Sequence, residues 1–278
     1  MRSLLKLLRK KLSVKEGGRD LKSAEYLWPP SELRSTEEPL FYHCPFGNPW
    51  NGMPPEIFRE FGQYTEKLLH KARKCPRCKL EEVVNNTYFL TYNTRKERSL
   101  IENCYAKYNI PAVVLGSENT RWSWLCKVHL VLEYLKPQSV LKEYVLVTDA
   151  SDVVLTKCPH SIIDRFSEYN ADVVFCNTVA DWPPCRELYI FELQRYIENP
   201  FHAHLSAGGY FGKTEKVMKY LSEIYDAYAQ QEPWAFYRGK FDDQLAWRYL
   251  HRKYYPDIQI DHRSRIFKRY DVFKDLVY

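Results

Sequence analysis

No apolar run among these 278 residues is long enough to cross a bilayer. The only early apolar stretch, Leu4 to Leu8, is broken by Lys6, and no export signal is visible in it, so the chain reads as cytoplasmic. Glycine is scarce at 10 residues and 45% of the chain is hydrophobic, which argues against disorder over most of its length. A basic footprint for nucleic acid is missing from the body of the chain. Of 41 Lys and Arg and 35 Asp and Glu, eight and two fall in residues 1–22, so the other 256 residues carry 33 of each sign. That balance argues against DNA or RNA as a partner.

The basic excess has a pattern. Leu4, Leu5, Leu8 and Leu12 share one helical face, with Arg2, Lys6, Arg9 and Lys10 largely opposite. Residues 1–15 thus form a basic amphipathic helix suited to peripheral contact with an anionic membrane, or to docking on the protein's own body. Residues 1–22 are expected to be separate from an N-terminal extension, 23–86, that is rich in Pro, Asn and Trp and carries a helix over 55–71. Within the extension, Cys75-Pro-Arg-Cys78 is a C-x-x-C pair that Cys44, with His43 or His70, would complete as a zinc site. The default for the eight cysteines is a reduced thiol, since Cys126 and Cys176 sit in apolar runs and nothing at this length requires disulfides.

From about residue 87 onwards the sequence becomes regular. Strands are expected at Tyr88–Thr91, Ala112–Leu115, Tyr144–Thr148 and Ala171–Cys176, alternating with helices at Lys96–Tyr108, Ser123–Leu135 and Pro159–Tyr169. This is the pattern of a mostly parallel α/β sheet flanked by helices, whose ligand sits at the carboxyl ends of the strands. Tyr144 to Val147 is an apolar run of the kind that makes a strand buried on both faces, and Asp149 and Asp152 follow it directly. Two carboxylates at such a strand end either cap the next turn or hold a hard cation, magnesium or manganese. Later pieces are Leu205 to Gly212, where Gly208 and Gly209 permit close backbone approach, then a helix opened by Asp242 and Asp243, and a late strand over Ile258–Phe267.

Four of these pieces, T-D-A-S-D-V-V-L (148–155), L-S-A-G-G-Y-F-G (205–212), D-D-Q-L (242–245) and D-H-R-S-R-I-F (261–267), occur in an order that resembles the glycosyltransferase domain of the procollagen lysyl hydroxylase family. They also resemble the related GT-A transferases that use UDP-sugars. The likeness covers Tyr88 to Phe267 and implies a Rossmann-like GT-A fold over 87–278. It implies a metal-dependent transferase that moves a hexose, glucose or galactose, from a UDP-sugar to an acceptor hydroxyl on a glycan. Hydroxylated protein or a modified DNA base is an alternative acceptor, and a non-catalytic sugar-binding module an alternative class.

By the same resemblance Asp149 and Asp152 hold Mn²⁺ (or Mg²⁺) against the diphosphate. Thr91 and Tyr92 lie on the uridine side, with Trp122 or Trp124 as the aromatic wall. Lys127 adds a second cation near the diphosphate. Trp182 forms a platform under the sugar, with Asp181 beside it, and Gly208 and Gly209 complete the donor pocket. Asp242 and Asp243 stand close to the donor sugar as the catalytic carboxylates. The family's metal-completing histidine, in a downstream H-G-N-G stretch, has no counterpart in these residues, which leaves the third ligand unassigned.

Overall fold

A computed structural model describes residues 39–43, 77–116, 120–155, 157–178, 180–197 and 202–269. Every described residue lies in one compact unit, Arg34–Tyr278. The amphipathic helix of residues 1–15, the helix over 55–71 and the zinc candidates Cys44, Cys75 and His70 lie outside the described residues, as does the side chain of Cys78. Among the described residues no helix is long and apolar enough to cross a membrane.

Strand β1 (Phe41–His43) comes first, and helix α1 (Arg77–Asn86) runs directly into β2 (Thr87–Tyr92). Helix α2 (Leu100–Lys107), β3 (Ala112–Leu115), α3 (Cys126–Leu135) and β4 (Tyr144–Thr148) follow, then β5 (Val153–Leu155). The next elements are α4 (Ile162–Ser167), β6 (Val173–Thr178), α5 (Arg186–Arg195), β7 (His204–Lys213) and α6 (Thr214–Ala229). The hairpin β8 (Phe236–Tyr237) and β9 (Lys240–Phe241), helix α7 (Asp243–Lys253), β10 (Ile258–Ile260) and β11 (Phe267–Arg269) close the described chain.

The main sheet has six strands in the order β10-β6-β7-β4-β2-β3. Strands β3, β2 and β4 run parallel, as do β6 and β10, and β7 lies antiparallel between β4 and β6. Continuous burial of β2 and β6 fits strands covered by helices on both faces. One face is filled by Val128, Val131 and Leu135 of α3 together with Val217, Leu221 and Ile224 of α6. Burial of six such side chains contributes roughly 1.5–3 kcal/mol each relative to exposure.

The strands at Ala112–Leu115 and Tyr144–Thr148 fall where the sequence places them. Helix α2 starts at Leu100 rather than at Lys96, because Ser99 forms a capping box: its Oγ accepts from Glu102 N at 3.4 Å and its own N–H donates to Glu102 Oε2 at 2.7 Å. The late strand expected over Ile258–Phe267 is two strands, separated by a turn built on Asp261. The buried Asp261 carboxylate accepts the backbone N–H groups of Arg265, Ile266 and Phe267 at 2.8, 2.6 and 2.6 Å. That turn swings β11 away from the main sheet into a second one of order β11-β1-β5. Strand β1 is its middle member, parallel to β11 and antiparallel to β5. Part of the segment read as an extension, 23–86, is therefore built into the body of the domain.

Candidate active site

Strand β4 ends at Thr148, and the chain turns out of the sheet at Asp149, whose N–H donates to Gly208 O of β7 at 2.9 Å. Asp152 closes the turn just before β5 begins. On one side of β4 lies parallel β2, and on the other antiparallel β7, so a crevice opens where the strand direction changes. The crevice is a hollow of about 620 Å³, lined by both carboxylates and by aromatic rings.

Most of the residues singled out in the sequence line it: Tyr92, Trp122, Trp124, Lys127, Asp149, Asp152, Trp182, Gly208, Asp242 and Asp243. Thr91 and Gly209 do not line it. Thr91 is fully buried in β2 and its hydroxyl donates to Thr148 O at 3.0 Å, which ties two strands together. Gly209 faces away, where an added Cβ would stand 3.2 Å from the Phe267 ring.

Lys127 is the buried cation of the site. Its Nζ lies 2.6 Å from Asp149 Oδ1 and 3.8 Å from Asp243 Oδ2, and 5.3 Å from the centre of the Trp124 ring. Burial alone would lower its pKa, but Asp149 and Asp243 outweigh burial and hold the ammonium above the ordinary lysine value. Helix α3 is in turn fixed by Tyr92, whose hydroxyl donates to Lys127 O at 2.8 Å. Trp122 packs edge-on against Tyr92 with centroids 5.9 Å apart, and Trp122 and Trp124 are 39% and 52% exposed. Open indole faces beside a buried ammonium suit a flat ring that carries an anion.

The D-D-Q segment divides its work. Asp242 is the N-cap of α7 and accepts Leu245 N–H at 2.8 Å, so one carboxylate oxygen serves the helix. Asp243 points inward and is 5% exposed. Burial raises its pKa to about 7, with Lys127 opposing and Asp242 and Asp149 reinforcing the rise. Gln244 ties β7 to the Trp182 loop, accepting Ala207 N–H at 3.1 Å and donating to Trp182 O. Trp182, 54% exposed, also meets Tyr237 with centroids 5.5 Å apart. Tyr237 is presented there by a two-residue hairpin in which Arg238 and Gly239 both adopt positive φ (50° and 75°), the geometry of a type I′ turn.

Behind the Trp182 loop lies a buried charge network that the sequence did not disclose. Arg248 is fully buried and donates to Glu192 Oε1 and Oε2, to Pro183 O and to Asp181 Oδ1 at 2.7–2.9 Å. Burial would raise Glu192, but His204, at 2.6 Å, and Arg248 hold its carboxyl below the usual range. Arg248→Lys keeps the charge yet loses the planar fork that reaches three partners. We expect a loss of about 2 kcal/mol in urea unfolding, the scale of losing hydrogen bonds to charged groups. A change below a few tenths of a kcal/mol would show that the fork does not hold this loop.

His43 is the site residue that sequence reasoning placed elsewhere, as a zinc candidate beside Cys44. Its Nε2 faces Asp152 Oδ2 at 3.4 Å and Asp149 Oδ2 at 3.9 Å. A nitrogen or oxygen from each of His43, Asp149 and Asp152 lies within 4.8 Å of the others. An ion with ligands at about 2.1 Å spans about 3 Å between adjacent donors and about 4.2 Å between opposite ones, a range that holds the 3.4 and 3.9 Å from His43 Nε2 to the two carboxylates.

The cysteines divide. Cys104, Cys126, Cys176 and Cys185 are free thiols, in line with the reduced default, whereas Cys158 is disulfide-bonded. A disulfide is unusual in a reducing cytosol.

The fold and the crevice are those of a glycosyltransferase of the Rossmann-like GT-A type. A family model for the PLOD GT domain matches residues 91–277, and the chain belongs to that family. No curated protein matches the sequence.

Proposed function

We propose that the protein is a metal-dependent hexosyltransferase that takes glucose or galactose from a UDP-sugar and passes it to a hydroxyl of a glycan or glycoconjugate. The observation that carries this reading is the juxtaposition, in one crevice, of an acidic pair able to hold a cation, a buried ammonium and open indole faces. Asp149 and Asp152 would hold Mn²⁺ or Mg²⁺, which when bound neutralises charge on the diphosphate. Lys127 supplies a second positive charge on the same side, and Trp122 and Trp124 offer faces for uracil. The hexose is assigned to the surface that Trp182 and Tyr237 form.

Departure of UDP leaves a positive anomeric centre and requires the acceptor hydroxyl to lose its proton. Asp243 is the carboxylate suited to take that proton, because its surroundings tune it near neutrality. Asp242 orients α7, and its remaining oxygen is available to sugar hydroxyls. Peripheral contact with an anionic membrane through residues 1–15 stays part of the proposal. For the compartment, the Cys158 disulfide weighs against a cytoplasmic setting.

The test is UDP release. Incubated with UDP-glucose or UDP-galactose and Mn²⁺, the protein should liberate UDP, and chelation should stop it. If UDP does not bind in the presence of Mn²⁺ and neither donor is consumed, the reading is wrong.

A further inference from the structure

We infer that His43, on a strand upstream of the family-matched span, is the third protein ligand of the divalent ion held by Asp149 and Asp152, through Nε2. The inference rests on the metal dependence proposed above, and three independent features of the chain support it.

The first is delivery. In the three-stranded sheet His43 is in register with Val153 of β5, the residue that follows Asp152, and with Arg269 of β11. Phe41 N–H donates to Ile266 O at 2.8 Å, so the strand is held at both neighbours. The second is orientation. His43 is 6% exposed, and its Nδ1 lies 3.3 Å from Ser206 Oγ. A partner at Nδ1 fixes the ring so that the Nε2 lone pair faces the carboxylates, the arrangement that metal-binding imidazoles use. The third is a cradle cut for the ring. A Cβ on Gly208 would stand 2.1 Å from His43 Cε1 and 2.5 Å from both ring nitrogens. Gly208 therefore makes room for an imidazole, and any larger residue would drive the ring from its place.

An ion pair between imidazolium and carboxylate would explain the distances without a metal, and the two arrangements differ in spectroscopy. Mn²⁺ added to the full chain should give an electron spin echo modulation from a coordinated nitrogen, and growth on ¹⁵N-histidine should shift it. His43→Ala should abolish the modulation and weaken Mn²⁺ binding at least about tenfold, a loss already seen when only a hydrogen-bonding partner of a metal ligand is removed. Gly208→Ala should abolish the modulation as well, although His43 is still present. If His43→Ala does not fold, the wild-type and Gly208→Ala spectra decide.

Bound Mn²⁺ without nitrogen modulation, modulation that survives His43→Ala, or no Mn²⁺ binding at all would overturn the inference. Consumption of a UDP-hexose without any nitrogen coupling would remove His43 from the metal and leave the transferase reading intact. Nitrogen coupling with no donor consumed would do the reverse.

Discussion

Asp152→Ala is expected to reduce UDP release from the UDP-hexose about a thousandfold, with the fold retained. A cation beside a departing diphosphate stabilises developing charge by several kcal/mol, and each 1.36 kcal/mol is a factor of ten in rate. Asp152 lies in the turn between β4 and β5 and lines the crevice, so truncation widens an existing hollow and leaves no core cavity. The loss should fall on kcat and on Mn²⁺ affinity together, whereas thermal unfolding should shift little. A variant that keeps more than a tenth of the wild-type rate would mean that the acidic pair does not hold the working cation.

Asp243→Asn carries the second large effect, and it has two readouts of opposite sign. Loss of a positioned acid–base group costs about 10²–10⁴ in rate, so kcat should drop at least a hundredfold. In the unaltered protein kcat should rise as pH rises through about 7, where Asp243 ionises, and the variant should lack that inflection. Stability runs the other way. The folded-state pKa of about 7 stands above the ordinary 3.8, so the folded protein binds this proton more tightly than the unfolded chain does. Stability from this group is therefore fullest below the lower value and is lost as pH rises towards the upper one. The loss is on the order of 4 kcal/mol. Denaturant unfolding at pH 5 and pH 8 should show a smaller decline for Asp243→Asn than for the wild type. Equal declines would mean that Asp243 titrates normally.

The acidic pair was legible because it is local: an apolar run that can only be a buried strand, with two carboxylates straight after it. The D-D-Q segment was legible as a unit, but the separate duties of cap, inward carboxylate and loop clamp emerge only when α7 is placed against β7 and the Trp182 loop. Thr91 was assigned to the uridine side by the family resemblance, yet its hydroxyl turns into the sheet. Gly208 and Gly209 looked alike in sequence. They face opposite sides of β7, and only Gly208 meets the crevice.

His43 could not be found this way. It sits on a three-residue strand with no periodicity of its own, far from Asp149 in the chain, and its neighbour Cys44 invited a zinc reading. The buried Arg248–Glu192–His204 network was equally hidden, since charged residues on helices are ordinarily read as solvated. One signal was present for the histidine. A Gly-Gly pair in an otherwise apolar strand marks a place where something large approaches closely, and here it is an imidazole from another part of the chain.

Strand β1 has one more implication. It is the central member of its small sheet, so a protein trimmed to the family-matched residues 91–277 would have two flanking strands with nothing between them. Their exposed backbone edges would invite self-association, and aggregates of such a fragment would say nothing about the stability of the intact chain.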